Sequence, residues 1–183
     1  LDMDSEMLIT LLGAFAQAES ESISRNVAWG KRQAMREGKV SYHYKNFFGY
    51  RKGADGMPEI VEEQAEVYRC IVKQLLDGYS LRNIRDKLIA DEVPYLEGKE
   101  WSVTTIRNML SNEKYCGDAL LQKTFVEDCI SKKVVKNTGQ REQVLVENCH
   151  PAIITRDQHK AVLAELARRS AITSPSSKQA STG

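Results

Sequence analysis

Three observations predict an α+β fold, predominantly helical. A proline-free opening stretch carries helical apolar spacing, shorter helical periods follow in succession, and brief β-type runs are set off by Gly and Pro. The expected architecture is a long protruding N-terminal helix, then a compact helix-rich domain with small antiparallel β elements. At 183 residues and 42 % hydrophobic content, the chain can hold one ordinary domain or two small ones.

The opening helix is predicted over Asp4 to Gly38, with Asp4 or Ser5 as its cap and Gly38 as its stop. Leu8, Leu11, Leu12, Phe15, Ala18, Ile23, Val27, Ala34 and Met35 approximate the three-and-four spacing of one face. Such a helix spans roughly 50 Å, more than a small domain requires, so its stripe calls for a partner helix. Gly13 and Gly30 oppose it by about 1 kcal/mol each.

Charge divides this segment. Asp2, Asp4, Glu6, Glu19 and Glu21 give Leu1–Ser24 a net −5, whereas Arg25, Lys31, Arg32, Arg36, Lys39, Lys45, Arg51 and Lys52 against Glu37 give Arg25–Lys52 a net +7. Helix-dipole preference reaches only the terminal turns. The first half therefore suits a protein surface and the second half a polyanion, although a solvated basic face has the same composition. The formal net charge of +1 hides this segregation.

Ser41 to Asn46 reads as a polar and aromatic connector, suited to a phosphate backbone or minor groove, or equally to docking of its rings on the next domain. Phe47–Lys52 and Met57–Val61 form a hairpin across Gly53 and Gly56. Val61, Ala65, Tyr68, Val72, Leu75, Leu76 and Tyr79 then keep one helical face up to Asp77-Gly78. Ser80 restarts a helix with Leu81, Ile84 and Leu88 inward, and Val93-Pro94 ends it. Ser102 caps a third helix, with Val103, Ile106 and Leu110 inward and Thr104, Thr105, Arg107 and Asn108 outward. Those outward types bond base edges and phosphates. The arrangement resembles a helix-turn-helix reader, though its connection is longer than the usual tight turn. Cys116–Gln122 and Val144–Glu147 read as strands around a basic loop or ribbon containing Lys132, Lys133, Lys136 and Arg141. Thr155 caps a last helix with Val162, Leu163 and Leu166 on one face, and the Ser-, Thr- and Pro-containing stretch from Ser170 reads as a linker or disordered tail.

The sequence contains no Gly-rich phosphate loop, paired-His motif, nucleophile elbow or apolar run of membrane-spanning length. Cys70, Cys116, Cys129 and Cys149 are too widely spaced for a zinc site or disulfide framework and are expected as ordinary buried thiols; His43, His150 and His159 receive no metal role. No cofactor or catalytic residue is expected, and the chain reads as soluble, intracellular and cytoplasmic.

Leu11-Leu12-Gly13-Ala14-Phe15-Ala16-Gln17-Ala18-Glu19-Ser20-Glu21, Ile23-Ser24-Arg25 and Trp29-Gly30 resemble the long helix that ends the catalytic domain of serine recombinases of the resolvase/invertase superfamily. Phe48-Gly49-Tyr50, Ile60 to Ala65, Gly78 to Arg82, Gly98 to Ser102, Thr105 to Leu110, Asn112, Tyr115-Cys116-Gly117 and His150 to Ile154 follow the order of the recombinase domain of large serine recombinases. The resemblance covers about residues 1 to 169. One departure is Tyr42 to Tyr50, which lacks the proline that usually precedes Gly-Tyr.

The resemblance implies cleavage of DNA through a serine nucleophile, rotation of subunits within a tetramer, and religation. No nucleophile can be carried onto these residues, so the chain is expected to be a DNA-binding portion, inactive alone, with the zinc ribbon of such proteins not included. The implied bounds are 1–38 for the dimerisation and DNA-contacting helix, 39–46 for a linker, 47–169 for the recombinase DNA-binding domain and 170–183 for the tail. Expected partners are double-stranded DNA and a second copy bound through the helix, with no membrane. The candidate DNA contacts are Arg25, Lys31, Arg32, Arg36, Lys39, Lys45, Arg51, Lys52, Thr104, Thr105, Arg107 and Asn108. A regulatory DNA-binding module that dimerises through its long helix, or an adaptor for an acidic protein, would use the same charge pattern differently.

Overall fold

The computed structural model describes residues 3–127 and 133–173; Cys129, Lys132 and the tail beyond 173 lie outside them. By contacts the chain divides into two compact units, one containing the opening helix and Leu120–Val146, the other Tyr42–Ala119 and the chain from Glu147 onward.

In the first unit, helix α1 (Met3–Arg36) begins ahead of the caps expected at Asp4 or Ser5. Its end follows the glycine logic of the sequence: Gly38 has φ +72°, and the Lys39 amide reaches back to the Ala34 carbonyl at 2.9 Å. That six-to-one bond satisfies a terminal carbonyl, and a side chain at Gly38 would strain the left-handed backbone. Leu8, Leu11, Leu12, Phe15, Ile23 and Val27 are all exposed, so the predicted apolar stripe is present and bare. Four strands of three residues complete the unit. β3 (Ala119–Leu121) pairs with β6 (Val144–Val146), and β4 (Thr124–Val126) pairs antiparallel with β5 (Val134–Lys136). Val134 and Val135 therefore sit on a ribbon rather than in a loop.

The second unit opens with a 3-10 turn at Tyr44–Asn46 and the hairpin of β1 (Tyr50–Lys52) and β2 (Pro58–Ile60). Phe47 and Phe48, expected in the strand, precede it as buried core residues instead. Their rings pack on Tyr50, Tyr95 and Trp101, so burial takes priority over β pairing. The connector docks too. The Tyr44 hydroxyl donates to the Gly56 carbonyl at 2.8 Å, and the Tyr42 hydroxyl lies 3.1 Å from His150 Nδ1.

Helices α2 (Glu62–Leu76), α3 (Leu81–Ala90), α4 (Val103–Leu110) and α5 (Arg156–Thr173) surround one core that includes Tyr68, Ile71, Leu75, Ile84, Ile106, Leu110 and Val162. The cap expected at Ser102 is present, its Oγ accepting from the Thr105 amide, and Ser80, where a helix was expected to restart, caps α3 by accepting from the Asn83 amide. At Thr155 the cap is reciprocal, because Oγ1 accepts from the Gln158 amide and Gln158 Oε1 accepts from the Thr155 amide. Tyr79, expected on the inner face of α2, is exposed because that helix has already ended, and Leu76 and Leu163 are also exposed. Cys116, expected in a strand, closes a 3-10 turn at Glu113–Cys116. Ser170 to Thr173, expected in the tail, complete α5. Cys70 is an exposed thiol on α2, whereas Cys116 is buried, so the expectation of buried thiols fails at Cys70.

Asp118 anchors the start of α5. Arg156 donates through Nε and Nη2 to its two carboxylate oxygens at 2.8 and 2.7 Å, and the Asn148 amide adds a third bond at 3.0 Å. The guanidinium holds the Asp118 carboxyl below its ordinary value. A depressed folded pKa contributes stability that is complete above the unfolded value of about 3.9 and is lost as pH falls through the lower folded value. Asp118→Asn should therefore flatten the acid limb of melting temperature against pH. An unchanged acid limb would remove Asp118 from the acid response.

Candidate nucleic-acid interface

Arg25, Arg32 and Arg36 occur at separations of seven and four, which places them along one face of α1. Arg25 and Arg36 are exposed and Arg32 is half-buried; Lys31 is helical, but its side chain lies outside the described part. Lys39 follows the helix stop and pairs with Glu37 at 2.8 Å. That contact holds the Glu37 carboxyl below its ordinary value and raises the Lys39 ammonium, so this charge is partly neutralised within the chain.

In the second unit, Lys45 and Lys52 are exposed. Arg51 stands directly opposite Glu59 across the hairpin and donates to it through Nε at 3.0 Å and Nη2 at 2.8 Å. The fork keeps Glu59 ionised below its ordinary range and turns Arg51 toward its neighbour. On α4, Thr104, Arg107 and Asn108 lie exposed on one face. The Thr105 hydroxyl is instead engaged with the cap, receiving the Ser102 hydroxyl at 2.8 Å. Twelve residues, 91–102, separate α3 from α4, and the indole of Trp101 fastens this connection by donating to the Val93 carbonyl at 2.8 Å.

The folded ribbon brings in Arg141, which sequence reasoning placed in a basic segment but not among the candidate contacts. Together with Gln122, Glu142 and Val144 it lines a pocket of about 230 Å³ whose other walls are Arg32 and Arg36. The density of Lys and Arg between Lys132 and Arg141 was the available signal; which of them meets the helix depends on the ribbon's register. Among the described residues, no group of three or more His, Cys, Asp or Glu side chains could hold a metal ion. No helix there is long and apolar enough to cross a membrane.

Known proteins resemble this chain in sequence and in fold. The chain is 25 % identical over 168 residues to a candidate DNA recombinase of Bacillus subtilis (strain 168), covering 85 % of this chain and 33 % of that protein. It thus spans about a third of the length of that curated relative. A large serine recombinase (LSR)–DNA complex superposes with a TM-score of 0.55 at 21 % identity, over 79 % of this chain and 38 % of the other. A structure concerned with sequence requirements of the Listeria innocua prophage attP site gives 0.52 at 22 % identity, over 75 % and 52 %. Residues 62–169, more than half of the chain, match the Recombinase family model, and the protein accordingly belongs to the Recombinase family, with the fold seen in large serine recombinases.

Proposed function

We propose that this chain binds attachment-site double-stranded DNA on behalf of a site-specific serine recombinase, in the cytoplasm, as one part of the strand-exchange machinery. The observation that carries the proposal is the single basic face of Arg25, Arg32 and Arg36 at the end of α1 in a Recombinase-family chain. Guanidinium groups on one helical face match the repeating charge of a phosphate backbone. In this reading 47–169 is the DNA-binding domain, 39–46 links it to the helix, and Thr104, Arg107 and Asn108 supply groove contacts. Lys45, Lys52 and Lys31 add phosphate contacts, while Lys39 and Arg51 exchange internal partners for phosphates. The bare apolar stripe of α1 pairs with a second copy of the chain.

Each phosphate contact removed lowers the magnitude of the salt slope by about one unit. Arg32→Ala combined with Arg36→Ala should reduce it by about two units when binding to a labelled duplex is titrated with salt. Unchanged affinity and slope would overturn the proposal for the basic helix face.

A further inference from the structure

We propose that Arg141 completes a phosphate clamp with Arg32 and Arg36, so that the β ribbon and the helix grip the same stretch of DNA backbone. The inference rests on the DNA-binding reading above and adds the ribbon to it.

Three guanidinium groups and one carboxylate, Glu142, line the pocket. Among the described residues none of the three arginines is paired with a carboxylate, so the pocket gathers positive charge that the fold itself does not neutralise. A phosphodiester, with anionic oxygens suited to forked N–H donors, is the ligand that this donor set fits.

Arg141 is also held in place before any ligand arrives. Buried Asn137 accepts the Arg141 amide through Oδ1 at 3.1 Å and donates through Nδ2 to the Arg141 carbonyl at 2.7 Å. The same Nδ2 donates to the Gln122 carbonyl at 2.9 Å, which ties Gln122 and Arg141, two of the residues lining the pocket, to one amide. Further out, the guanidinium lies 4.2 Å from the centroid of Phe125, where cation–π attraction and stacking restrict it to a plane. A side chain fixed in this way loses little conformational entropy on binding. A solvated surface arginine would have neither the backbone clasp nor the aromatic platform.

The test uses the full chain, a fluorescein-labelled mixed-sequence duplex, and anisotropy titrations between about 50 and 200 mM salt. Arg141→Ala should lower the magnitude of the salt slope by about one unit, as expected for one lost phosphate. Glu142→Gln, which removes the only carboxylate from the pocket and keeps its shape, should tighten binding between about 1.5- and fivefold. Absence of any gain with Glu142→Gln overturns the clamp, even where Arg141→Ala weakens binding through loss of ribbon structure. A wild-type chain that binds the duplex while both variants match it likewise overturns the clamp but leaves the DNA-binding function standing. A wild-type chain with no salt-dependent binding overturns both.

Discussion

Tyr115→Ala should cost the second unit about 3–5 kcal/mol, the range for removing a large aromatic from a packed core. Against a total stability of about 5–15 kcal/mol, that is a large share. Tyr115 is 2 % exposed and its ring stacks on Tyr68 with centroids 3.9 Å apart. Its hydroxyl donates to the Phe48 carbonyl at 3.0 Å, and its own carbonyl accepts the Ile153 and Ile154 amides at 3.0 and 3.1 Å. One residue thus joins the segment before β1, the face of α2 and the approach to α5. Truncation empties the centre of that junction while leaving the backbone bonds with nothing to hold them in register. Thermal unfolding should show a fall of about 6–20 °C, at 2–4 °C per kcal/mol for a chain of this size. Tyr115→Phe separates the contributions: it keeps the stack, removes the hydroxyl, and leaves a buried carbonyl short of a donor at about 1–3 kcal/mol. A loss below about 1 kcal/mol for the alanine variant would mean that the stack is not the centre of the core.

The helices of this unit were legible because their signals are local. Ser80 and Ser102 precede apolar periods, and both side chains accept the expected amide. Gly38 could be recognised for the same reason, since a helix stop is written within a few residues of itself. Phe47 and Phe48 were misread because alternation and aromatic content describe a strand and a buried turn equally well over so short a run. Tyr95 and Trp101 decide it for Phe48, and Tyr115 and His150 for Phe47, and those contacts are tertiary. β3 and β6 lie within the expected strands Cys116–Gln122 and Val144–Glu147, whereas the three-residue β4 and β5 between them are too short to establish a period.

The candidate interface divides along the same line. Arg25, Arg32 and Arg36 could be placed on one face because helical spacing converts sequence separation directly into position. Arg51 could not be distinguished from Lys52, since the Glu59 opposite it is set by hairpin register. Arg141 was harder still: its position depends on Asn137, an ordinary polar residue in the sequence that becomes the buried clasp of a turn. Charge density marked the ribbon, and only folding selected a residue within it.

The second large effect concerns α1. Leu12 and Phe15 are 60 % and 65 % exposed, with Leu8 and Leu11 beside them on the same turns. Fully burying one such side chain stabilises by about 1.5–3 kcal/mol, and a two-fold pairing of helices would count every residue twice. Replacing Leu12 and Phe15 by Glu would remove that gain and place carboxylates in the seam, alongside the acidic Glu19 and Glu21 already present. For a chain that pairs through α1, sedimentation should show the dissociation constant rising by at least about a hundredfold, the equivalent of roughly 2.8 kcal/mol. The basic half of the helix begins at Arg25, so the substitutions leave the phosphate-binding face untouched. DNA affinity per protomer should then hold while apparent cooperativity is lost. A wild-type chain that stays monomeric at high concentration would refute self-pairing through this stripe, because the apolar side chains would then remain in water when a partner was available.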